Sequence, residues 1–70
     1  MKLKIQQERI KRGWSQQYVA DKIGVTKVAI HDIETGRRKP SYEVLVKLEK
    51  LFHRSHRTLF AVVSDETNPT

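Results

Sequence analysis

The side chains with the most chemistry to offer lie close together in the middle of this 70-residue chain. Ile30 and Ile33, three apart, share the inner face of a short helix. That leaves Thr26, Lys27, Val28, His31 and Asp32 pointing outward at its start. Together they present a hydroxyl, a cation, two methyls, an imidazole and a carboxylate, a mixed face that suits recognition of a partner surface. Three consecutive cations, Arg37, Arg38 and Lys39, follow at once. A Gly before them and a Pro after them place these cations in a loop. Chemistry of the catalytic kind is not legible: there is no nucleophile–base arrangement, no glycine loop to cradle a phosphate and no acid/base pair. The chain reads as a non-enzyme without a cofactor. His53 and His56, spaced i, i+3, have no acidic or thiol neighbours in sequence, so no metal site is expected. The chain has no cysteine, which excludes disulfides and thiolate ligands and fits a reducing cytoplasm.

The elements that must position this face are readable from periodicity and cap chemistry. Val19, Ala20 and Ile23 form one inward stripe of a helix that begins after Ser15. Gly24-Val25-Thr26 turns the chain into the next helix, about Lys27 to Glu34. Gly24 suits the left-handed conformation that ends a helix, and the Thr26 hydroxyl can cap the helix that follows. Trp14 with Val19, and Val25 with Ile30, occupy staple positions around the two caps. Ala20 is small where the two helices should cross most closely. Two packed helices with a mixed polar face on the second form a helix-turn-helix pattern, here about residues 16–35.

The rest of the chain supports that pair. Leu3 to Arg12 reads as a first helix with Ile5 and Ile10 inward and Leu3 or Gln6 at the edge, closed by Gly13. Ser41 caps a fourth helix, about Tyr42 to Phe52, whose stripe is Val44, Leu45, Leu48, Leu51 and Phe52. Ser55 caps a short fifth helix ending near Phe60. Residues 60–63 are too apolar for a free tail: they extend the fifth helix or form a short C-terminal strand that pairs with a second subunit. Residues 64–70 read as a disordered end. The expected architecture is all-α, five short helices in a single domain over residues 1–63.

Charge follows the motif. The net charge of +6 is carried by residues 1–40, with ten Lys/Arg against four Asp/Glu; residues 41–70 are balanced at four against four. That is the electrostatic footprint of a phosphate-backbone partner. An aromatic content of 7% argues against stacking on single-stranded bases. The opening MKLKIQQER has no sustained apolar run, so neither a signal peptide nor a membrane partner is expected. A hydrophobic content of 37% suffices for a small helical bundle, one so small that oligomerisation would help it.

Over about Ile5 to Phe60 the chain resembles the phage repressor/Cro-type helix-turn-helix regulators, the xenobiotic response element group. The resemblance is carried by Arg9, Gly13-Trp14-Ser15-Gln16, Val19-Ala20, Ile23-Gly24-Val25-Thr26, Ile30, Ile33-Glu34, Gly36 and Pro40-Ser41. It implies a lambda repressor-like fold and sequence-specific binding of double-stranded DNA, as a repressor acting as a homodimer on a near-palindromic operator near the nucleoid. No small-molecule ligand is expected. It places Lys27, Val28 and Asp32 on base edges with His31 beside them, and it places Gln16 on the DNA backbone. Gln17, Thr26 and the Arg37, Arg38 and Lys39 loop are expected on phosphates. Arg9 and Glu34 either pair, as the family implies, or are unrelated surface charges. The dimer surface is expected to include Leu59, Phe60, Val62 and Val63. Members of this group also serve as antitoxins, as restriction–modification controllers and as bridging modules that read no bases. Arg54 and His56 stand where the family usually has apolar residues, which puts the packing of the fifth helix in question.

Overall fold

The computed structural model describes residues 2–63. Five helices follow one another: α1 (Lys4–Lys11), α2 (Gln16–Ile23), α3 (Lys27–Glu34), α4 (Tyr42–Phe52) and α5 (His56–Leu59). Four of them open on a hydroxyl cap. Ser15 accepts from the Tyr18 N–H, Thr26 from Ala29, Ser41 from Val44 and Ser55 from Thr58. Each cap satisfies one of the orphan donors of a first helical turn. Helix α2 ends on Gly24 at φ 76°, and helix α4 ends on His53, also left-handed at φ 55°.

The core draws on every helix. Ile5, Val19, Ala20, Ile23, Ile30, Leu48, Phe52 and Leu59 are buried together, with Trp14, Val25, Val44, Leu51 and Phe60 packed around them. The α2–α3 pair shares the most extensive packing, and Ala20 on α2 is fully buried. Helix α4 backs the pair through Leu48 and Phe52, as its stripe predicts.

Helix α1 departs from expectation. Ile10 is 60% exposed, whereas Leu3 is buried. The inward face of α1 is Ile5, Glu8 and Arg9, and Ile10 lies 200° around the helix from Glu8. Buried charge is tolerable here because each group is paired. The Glu8 carboxylate lies 2.6 Å from an Arg12 guanidinium nitrogen and 3.5 Å from Lys11 Nζ. Arg12 also donates to the Phe52 carbonyl at 2.7 Å, which ties α1 to the end of α4. No side chain caps α1. Leu3 is extended, and the chain start is held by backbone pairing instead.

That pairing corrects two expectations for the C-terminal segment. Helix α5 stops at Leu59, and Leu3 and Val62 form an antiparallel bridge within the same chain. Lys4 N–H donates to the Ala61 carbonyl at 2.9 Å, and Val63 N–H to the Lys2 carbonyl at 3.0 Å. The extended segment therefore meets the protein's own N-terminus. Leu59, expected on a dimer surface, is wholly buried in the monomer core. Arg54 and His56 do not disturb the packing of α5, because both are exposed and Leu59 alone of its helix is buried. The expected disordered end, residues 64–70, lies outside the described residues.

Candidate nucleic-acid interface

Helix α3 is fixed from behind. Ala29, Ile30, Ile33 and Glu34 are 1–7% exposed and together occupy one side of the helix. With that side pinned, Lys27, Val28 and His31 must point to solvent, and Val28 is 64% exposed. The buried set is larger than Ile30 and Ile33 alone. Ala29, four residues before Ile33, lies on the same stripe, and that spacing is the signal for it.

Glu34 is the polar member of the buried face, at 1% exposure. Arg9 Nε donates to Glu34 Oε2 at 2.6 Å and its Nη2 to Oε1 at 3.3 Å, a two-pronged pairing of fork on carboxylate. A third donor, Nη1, reaches the Trp14 carbonyl at 2.8 Å. The Glu34 carbonyl in turn accepts from Leu3 N–H at 3.1 Å. The C-terminal end of α3 is thus clamped to α1 by side chain and by backbone. Of the two readings of Arg9 and Glu34, the structure supports the pair.

Gln16, at the start of α2, joins this network. Its amide nitrogen lies 3.1 Å from Glu34 Oε1 and 3.5 Å from His31 Nδ1. The amide therefore donates to Glu34 Oε1, and the first turn of α2 is laid against α3. The first intrahelical acceptor of α2 is the Ser15 carbonyl, bonded by Val19. The N–H groups of Gln16 and Gln17 precede that bond and have no intrahelical partner. They face the positive end of the helix dipole, where an anion is favoured. Gln17 is exposed, and its amide reaches Asp21 at 2.8 Å on its own helix.

The cationic loop lies at the other end of α3. Gly36, at φ 80°, turns the chain back. Arg37 and Arg38 N–H then donate to the Asp32 carbonyl at 2.9 and 3.3 Å. Arg37, Arg38 and Lys39 are all exposed. Asp32 is only partly exposed, and its carboxylate lies 3.6 Å from Arg38 Nη2. Nothing in helical spacing pointed to this contact, which crosses the Gly36 turn.

The structure thus brings Gln16, Thr26, Lys27, Val28, His31 and Asp32 onto adjoining parts of the α2–α3 pair, with the three loop cations beside them. It separates from them Phe60, Val62 and Val63, on the segment that pairs with the N-terminus. Among the described residues no cluster of three or more His, Cys, Asp or Glu side chains is placed to hold a metal. His56 does have an acidic neighbour that sequence distance concealed. Its Nδ1 lies 2.9 Å from Glu49 Oε2, and its N–H donates to the same oxygen at 2.6 Å. These hydrogen bonds hold the Glu49 carboxyl below its ordinary range. No described helix is long and apolar enough to cross a membrane.

The sequence is similar to those of known proteins. A family model described as helix-turn-helix matches residues 5–59. The chain is 46% identical over 44 residues to the HTH-type transcriptional regulator AnsR of Bacillus subtilis (strain 168). That match covers 63% of this chain but only 38% of the Bacillus protein. It is 30% identical over 66 residues to an uncharacterized HTH-type transcriptional regulator of Archaeoglobus fulgidus, a match covering 94% of each.

Proposed function

We propose that this chain, a DNA-binding transcriptional regulator of the Cro/C1-type helix-turn-helix family, is a repressor that reads a near-palindromic operator as a homodimer. The observation that carries base reading is Val28. A valine 64% exposed between Lys27 and His31, on a helix whose opposite side is wholly buried, is a poor solvent surface and a good groove surface. Helix α3 enters the major groove with its N-terminal residues on base edges. Lys27 donates to guanine O6 and N7, Val28 packs on a thymine methyl, and His31 contacts an adjoining base or phosphate. Asp32 stands at the fourth base-facing position.

Positioning falls to groups without sequence information. The start of α2, with Gln16 and Gln17, meets one phosphate through backbone N–H groups. Thr26, Arg37 and Lys39 meet the strand beyond. Since the Gln16 amide donates to Glu34, its contribution is to lay α2 against α3 as much as to touch the backbone. Phe60, Val62 and Val63, partly or largely exposed, supply the apolar surface for a second copy. Two recognition helices on one face of the duplex require half-sites about one helical turn, roughly 34 Å, apart. Repression follows from occupying a promoter. No catalytic step belongs to this reading.

The test is selection of bound sequences from a random duplex pool at moderate salt. A two-fold symmetric motif is expected. Lys27→Ala should then relax preference at one position of each half-site and weaken cognate binding by about 1–3 kcal/mol. Binding that enriches no sequence and disappears as salt rises would leave a basic surface only, and the bridging role without base reading would take its place.

A further inference from the structure

We propose that Asp32 does not read a base: it is a positioning residue that holds Arg38, and the two act as one specificity-determining unit whose reading group is the guanidinium. The inference rests on the DNA-reading role of α3 and deepens it. It begins with the backbone. Two backbone donors converge on the Asp32 carbonyl: Arg37 N–H at 2.9 Å and Arg38 N–H at 3.3 Å. Residue 38 is therefore anchored over the last turn of α3 whatever its side chain does. The carboxylate then meets the guanidinium at 3.6 Å, with the Asp32 side chain 21% exposed and that of Arg38 56% exposed. An exposed ion pair is weak when two long side chains must be ordered to form it. Here the turn has already brought them together.

The chemistry favours this division of labour. A solitary carboxylate on a face offered to a polyanion is repelled, and pairing with Arg38 neutralises it. Arg38 has five N–H donors in a planar fork, and a single contact to Asp32 leaves the others free. That fork fits guanine O6 and N7 in the major groove. Arg37 and Lys39, which form no ion pair among the described residues, have no such aiming partner. They remain phosphate contacts, and Arg38 is set apart from them.

The experiment compares full-length wild type, Asp32→Asn, Arg38→Ala, Arg38→Lys, the Asp32→Asn/Arg38→Ala double variant and Lys39→Ala. Each is put through the duplex selection, followed by titration of the selected operator. Melting by circular dichroism should show all of them folded, because these side chains lie outside the core. Asp32→Asn and Arg38→Ala should alter preference at the same base pair of each half-site. Arg38→Lys should lose that preference while keeping the salt dependence, because it retains the charge and loses the fork. In the Arg38→Ala background Asp32→Asn should strengthen binding, by about tenfold, because it removes an unmasked charge. In the wild-type background the same substitution should weaken it. Additive effects would overturn the proposal, as would a preference change for Asp32→Asn at a base pair that Arg38→Ala leaves alone. So would Arg38→Ala weakening every sequence alike, as Lys39→Ala should. A wild type that enriches no sequence would remove the DNA-reading role itself and this unit with it; a clear wild-type motif with additive variants removes the unit alone.

Discussion

Arg9 divides its donors between the Glu34 carboxylate and the Trp14 carbonyl, and that single side chain joins α1, the loop before α2 and the end of α3. Both partners of the ion pair are nearly dry, at 11% and 1% side-chain exposure. Removing one strands the other. Arg9→Ala should therefore destabilise the domain by about 3–5 kcal/mol in chemical denaturation. A loss under about 1 kcal/mol would mean the pair is solvated and not structural. Glu8 offers a second test, by pH. The hydrogen bond from Arg12 is the main cause that holds its carboxyl below the ordinary 4.5, and the nearby Lys11 and Arg12 charges add to it against the opposing effect of burial. A carboxyl depressed on folding contributes stability that is present above about its unfolded value and is lost as pH falls through the lower folded value. The melting temperature should accordingly fall below about pH 4.5. Glu8→Gln should be less stable at neutral pH and show a shallower acid decline. An unchanged acid profile would assign the decline to other carboxylates.

At the level of elements, the α2–α3 angle decides whether Lys27, Val28 and His31 share a face with the Gln16 end of α2. Ala20 sets the approach and Gly24 sets the turn. At Gly24 an added Cβ meets nothing within 4 Å, so the cost of Gly24→Ala is conformational and not steric. Holding an L-residue at φ 76° should cost about 1–2 kcal/mol, read as a lowered melting temperature with the fold retained. A neutral outcome would show that the turn relaxes. These parts were legible in advance because they are local: a Ser or Thr cap, a glycine past the last turn and an apolar stripe are all written within a few residues. Helix α4 illustrates the same point, since its bounds and its buried Leu48 and Phe52 follow from one stripe. Helix α1 is the exception. Its inward face carries Glu8 and Arg9, so the apolar pattern alone points to Ile10 instead. The Glu8–Arg12 pair, at i, i+4, was the available signal.

For the molecule as a whole, the bridge between Leu3 and Val62 closes the chain on itself and leaves the Val62 side chain 56% exposed. If the second copy docks on this segment, Val62→Asp should convert the dimer to monomer in sedimentation and weaken operator binding, with little change in monomer melting. A dimer that survives the substitution would place the interface elsewhere. Leu59 cannot serve that test, because its loss would empty the core.

The order of the helices, their caps and turns, the basic bias of residues 1–40 and the outward set on α3 are properties of neighbouring residues, and the linear chain carries them in full. The burial of Leu3 and Leu59, the capture of Gln16 by Glu34 and the pairing of Asp32 with Arg38 are of another kind. Each depends on which segment the folded chain brings alongside: the C-terminal segment beside Leu3, α2 beside Glu34, the loop returning across Gly36 beside Asp32. Burial and charge pairing are energies of proximity, and no periodicity along the chain encodes a neighbour that only folding supplies.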